Sequence, residues 1–206
     1  MPDIDRALAD ITEIRSQLAA GTLFRGFGPA VIALTGVLAL LVASAQTIWP
    51  GTFAADSYDF LVCWSIAAVL AAVLVCTEMV ARSRRHHGGL ADAVVIGAIE
   101  RFLPAGFAGV AIAVVFLKYS PDVLWTLPGI WQVLVALGIF ASARSLPRQI
   151  KWVGAWYFLA GICVLVLESA SHSLSPWTMG VPFAVGQFAM AAVLHFAFGE
   201  FHAQER

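Results

Sequence analysis

The stretch FGPAVIALTGVLALLVASAQTIW, from Phe27 to Trp49, contains no charged residue. A helix rises about 1.5 Å per residue and a bilayer core is about 30 Å thick, so about 20 apolar residues span it. This run is long enough. Five more runs qualify or nearly so: Tyr58 to Ala81, Ala93 to Leu117, Trp125 to Ala143, Trp152 to Ala170 and Trp177 to Phe198. None alternates with a period of 2, which argues against a membrane β-barrel.

Composition agrees. The chain is 60% hydrophobic and 12% charged, whereas soluble domains are about 25% charged. A soluble fold needs more polar surface than this. The net charge of -1 provides no basic field for nucleic acid. The chain is expected to be all-α, a polytopic membrane protein with a six-helix transmembrane bundle. Pro50, Gly51, Pro121, Pro147 and Pro176 mark short links. Short links predict three antiparallel hairpins.

Three parts follow. Residues 1–26 form an N-terminal element and hinge, 27–198 the transmembrane domain, and 199–206 a tail. No cleavable signal peptide is visible, because residues 1–26 are polar and the first apolar run is too long.

Ten of the twelve basic residues fall on one side of the predicted spans. They are Arg6, Arg15, Arg25, Arg82, Arg84, Arg85, Arg144, Arg148, Lys151 and Arg206. The opposite loops carry only Lys118, and Arg101 lies inside the third run. Basic loops stay in the cytoplasm. The expected location is the inner (cytoplasmic) membrane with both termini cytoplasmic. Trp49, Trp125 and Trp177 then fall at outer interfaces, where amphipathic rings prefer to sit.

In residues 3–20, Ile4, Ala7, Ile11, Ile14 and Leu18 recur at helical spacing. The polar face is acidic on balance, and a helix lying on anionic lipid should be basic. A cytoplasmic amphipathic helix packed on the bundle, on a protein partner or on a second copy fits better.

Charged groups in hydrocarbon are costly and are candidate sites by default. Glu78, Glu100, Arg101 and His195 all fall in the cytoplasmic half. If the third helix enters the bilayer at Ala93, Glu100 lies about 10 Å deep. Pro104 removes a helix hydrogen bond to the carbonyl of Glu100 and predicts a kink there. An inner-half pocket for a small solute, ion or proton is the first functional expectation, with Arg101 opposite Glu78. If the span begins at Phe102 instead, Glu100 and Arg101 are interfacial. Glu168 and His172, four apart, predict an outer polar cluster with Lys118 and Asp122 nearby in sequence. It serves as an interfacial hydrogen-bond cluster or as proton access. Gln132 and Gln187 can hydrogen-bond across helices, and Ala105, Gly109, Ala113, Gly138 and Ser142 permit close helix contact.

The cysteines, Cys63, Cys76 and Cys163, lie in apolar runs without metal-ligand spacing, so they read as packing thiols. A haem or metal would need two of His86, His87, His195 and His202 at one depth, and only His195 is clearly within a helix. No cofactor or metal is expected. No soluble-enzyme motif is present. The second functional expectation is a non-catalytic accessory subunit or regulator docking through residues 3–20. The third is a haem or quinone redox protein.

Overall fold

The computed structural model describes residues 28–85, 89–143 and 147–204, with side chains described over 28–81, 100–143 and 147–197. The expectations placed on residues 3–20, the hinge, His86, His87 and the His202 side chain lie outside these described parts.

Among the described residues there is no strand. The long helices are α1 (Pro29–Ile48), α2 (Ser57–Arg85), α3 (Gly89–Tyr119), α4 (Leu127–Ser142), α5 (Ile150–Glu168) and α6 (Pro176–Gln204). A single helical turn, Pro50–Phe53, follows α1, and a 3-10 segment, Pro121–Thr126, leads into α4. Six segments are long and apolar enough to cross a bilayer, which marks the chain as a multi-pass membrane protein. The fourth reaches that length by including the 3-10 segment, as Pro121–Ser142. Proline opens α1, the Pro50 turn and the 3-10 segment. It is suited there because the first N–H groups of a helix have no intrahelical partner.

Each spanning helix packs on its neighbours in sequence, and α6 returns to α1. The tightest pairs are α1 with α6 and α4 with α5, followed by α3 with α4. The simple hairpin expectation would instead make α1–α2 and α5–α6 primary. Glycines account for the difference, because they let backbones approach closely. Gly129 and Gly161 meet at the α4–α5 crossing, where a Cβ on Gly161 would lie 2.7 Å from the Gly129 carbonyl oxygen. On the α1–α6 contact, a Cβ on Gly180 would lie 2.5 Å from the Ala43 Cβ.

The third span lies at the edge. Only 6% of its window is buried, against 44% for the fourth. It contacts the bundle mainly through α4, where Phe102 fits over Gly138 and Trp131 Nε1 donates to the Gly109 carbonyl at 3.2 Å.

Two apolar clusters fill the interior. One gathers Ile32, Ile139, Val153, Tyr157 and Leu194 from α1, α4, α5 and α6. The other gathers Ala43, Phe60, Trp64, Leu127 and Met179 toward the opposite end. Beside the second, Gln46 is buried and fully paired. Its Nε2 donates to the Phe53 and Phe60 carbonyls at 3.1 and 3.3 Å, and its Oε1 accepts from Trp64 Nε1 at 2.9 Å. Trp64→Phe keeps a ring but removes the donor, so an amide oxygen is left buried and unpaired. The expected loss is about 1–3 kcal/mol, seen as earlier thermal unfolding in detergent. Unchanged unfolding would show that this bond contributes nothing.

Candidate functional site

Among the described residues, buried polar groups with unpartnered atoms converge where the start of α4, the last turn of α5 and the start of α6 meet. The cluster begins with Pro182 inside α6. Proline has no N–H, so the carbonyl four residues earlier, that of Thr178, loses its helix donor. Gln132 Nε2, from α4, donates to that carbonyl at 2.8 Å. This contact assigns the amide orientation, because only the nitrogen end can face a carbonyl oxygen. Gln132 Oε1 is therefore turned away. It is buried, as is the whole residue at 0% exposure, and has no hydrogen-bond partner among the described residues.

Thr178 also faces α5. Its Oγ1 lies 2.7 Å from Glu168 Oε1 and 2.7 Å from the Ser175 carbonyl. Glu168, the last residue of α5, is 3% exposed, and its Oε2 has no partner among the described residues. The Ser175 backbone amide lies beside the carboxyl group. Buried polar groups are nearly always paired, so two unpartnered oxygens on side chains that both bond Thr178 are unusual. The contrast with fully paired Gln46 is direct.

His172 closes the α5 end. Its N–H donates to the Glu168 carbonyl at 2.7 Å, and its φ of 50° is left-handed. Glycine or asparagine usually takes that helix-ending position. The imidazole is exposed and meets the Trp125 ring edge-on at 4.8 Å. Glu168 and His172 are thus neighbours, with the carboxyl group inside and the imidazole outside. Lys118, over the Tyr119 ring at 5.2 Å, and Asp122 are both exposed.

No family model, curated protein or solved structure matches this chain. The chemistry is read from the site alone.

The inner-half residues are placed differently. Glu78 is half-buried and lines a shallow crevice, with no room for a water molecule, between α1 and α2 with Gly28, Val31, Ile32, Val75 and Met79. Glu100, Arg101 and Pro104 are exposed on the peripheral helix α3. His195 is exposed on α6 with its ring edge-on to Phe196 at 5.8 Å. Of these, only Glu78 lines the crevice. The reason is the position of α3, which presents most of its surface outward. The residues Glu100 to Tyr119 already suffice in length to cross a bilayer.

Among the described residues, no group of three or more His, Cys, Asp or Glu side chains is spaced to hold a metal. Cys63, Cys76 and Cys163 are free thiols. The sequence singles out Glu168 and His172, and Gln132 as an amide able to bond across helices, as it does to the Thr178 carbonyl; the Thr178 side chain itself carries no local signal. Its carbonyl does: the carbonyl four residues before an in-helix proline needs a donor from elsewhere.

Proposed function

We propose that this protein binds a proton or a small cation at the outer end of α4, α5 and α6, as one station on a path across the membrane. The observation that carries this reading is the pair of buried, unpartnered oxygens, Gln132 Oε1 and Glu168 Oε2. An unpaired buried polar group costs about 1–3 kcal/mol, and an unneutralised buried carboxylate costs more. A bound proton or cation would relieve the carboxylate's penalty and offer Gln132 Oε1 a partner. The basic bias supports cytoplasmic termini, and in the inner (cytoplasmic) membrane the site would then face the outer side. Glu78, in its crevice, and Glu100, Arg101 and His195 beside the opposite face, would serve the inner end of the path. Pro104 would give α3 room to flex.

Proteoliposomes loaded with a pH-sensitive dye test this. Wild-type protein is expected to carry protons, or a cation whose gradient drives them, and Glu168→Gln to lose that flux. Equal leakage from wild type, Glu168→Gln and empty vesicles would overturn the transport reading.

A second reading, an accessory subunit of a membrane complex, is favoured by α3. Phe107 and Val110 are 66% and 63% exposed there, and the docking role proposed for residues 3–20 would add to that face. Purification in mild detergent, with and without residues 3–20, is expected to show a stoichiometric partner that the shortened chain loses. A lone, monodisperse full-length chain would count against it.

A further inference from the structure

We propose that the species held at the outer site is a proton, carried by Glu168 between Thr178 and Gln132, so that the carboxyl group is neutral and donates a hydrogen bond. This rests on the outer-site reading above and narrows it from any small cation to one.

The argument is a count of hydrogens. A threonine hydroxyl has one, and Thr178 Oγ1 has two oxygen neighbours at 2.7 Å. It can donate fully to only one of them. When the hydrogen goes to the Ser175 carbonyl, Glu168 Oε1 must bring a hydrogen of its own to make the second contact. The Ser175 backbone amide lies beside the carboxyl group, and the remaining groups do not make up the shortage. Gln132 Oε1 and Glu168 Oε2 are both acceptors without a donor when the carboxyl is ionised. One Gln132 N–H is already committed to the Thr178 carbonyl. The site is therefore short of donors, and a proton on Glu168 supplies one of them while removing the buried negative charge.

A metal cation fits less well. Hard cations take about six or more oxygen ligands, and only two oxygens here are unengaged. A proton needs one acceptor beyond the atom that carries it. No charge on the neighbouring elements replaces it. The first two turns of α4, from Leu127, and of α6, from Pro176, contain no ionisable residue. His172, Asp122, Tyr119 and Lys118 are the nearest titratable groups in sequence on adjoining segments, and all four are exposed.

Infrared difference spectra of the full chain in lipid, recorded over a pH titration, test the proposal. The expected result is a protonated-carboxyl carbonyl band near neutral pH that shifts in heavy water and is missing from Glu168→Gln. Thr178→Val should move the band without removing it, because the threonine positions the carboxyl and does not carry the proton. Absence of the band, together with Glu168-dependent carboxylate changes on adding sodium or potassium, would overturn the proton and keep the cation-binding reading. Absence of both signals would overturn both.

Discussion

Gly161→Ala is expected to be among the most damaging single methyl groups that can be added to this protein. Its Cβ would sit 2.7 Å from the Gly129 carbonyl oxygen, 2.9 Å from Val133 Cγ2 and 3.1 Å from Gln132 Cβ. A valine can change rotamer, but a backbone oxygen moves only if α4 and α5 separate. Overpacking costs about 1–3 kcal/mol and occasionally more, and a collision with backbone belongs at the upper end. Because Gln132 lines the same crossing, the substitution should also disturb its bond to the Thr178 carbonyl. Thermal unfolding and size-exclusion profiles in detergent read the first effect. Gly180→Ala provides the contrast. Its new methyl meets the Ala43 Cβ at 2.5 Å, and its next nearest neighbour, the Ala39 carbonyl oxygen, is at 3.5 Å. Adding Ala43→Gly removes the obstacle, so the double variant should recover most of the lost stability. If it unfolds no later than Gly180→Ala alone, the α1–α6 packing described here is wrong.

Gln132→Leu is expected to destabilise by about 1–3 kcal/mol, the cost of leaving one buried carbonyl without a donor. Leucine has a similar volume, so the loss belongs to the hydrogen bond and not to a cavity. The penalty should depend on Pro182. In a Pro182→Ala background, residue 182 regains an N–H and can bond the Thr178 carbonyl within α6. Gln132→Leu should then cost less by that amount, giving a coupling of roughly 1–3 kcal/mol in a double-mutant cycle. Equal penalties in both backgrounds would show that Gln132 does not stand in for the missing proline donor. Either outcome bears on function, because the same bond leaves Gln132 Oε1 buried without a partner among the described residues.

Much of the candidate site was visible in the sequence as fragments. Glu168 and His172 are one helical turn apart, and local spacing alone brings them together. Gln132 and Thr178 are 46 residues apart, and no local pattern joins them. The inner-half residues show the converse. Glu100, Arg101 and Pro104 are conspicuous by type, yet a charge inside a helix says nothing about which way that helix faces. In this bundle α3 is peripheral, and these residues are exposed.

By itself the sequence determined that the chain is helical and that, among the described residues, six segments are long and apolar enough to cross a membrane. Apolar length is a one-dimensional property, and about 20 residues at 1.5 Å each is all a span requires. The tertiary structure alone decided which helices pair, that α3 stays outside, and that Gln132, Thr178 and Glu168 share one buried site. The physical reason is that lipid tails are as apolar as leucine. Hydropathy cannot separate a face that meets lipid from a face that meets another helix. That choice falls to close contacts, such as Gly129 against Gly161, and to the single donor that the Thr178 carbonyl lacks.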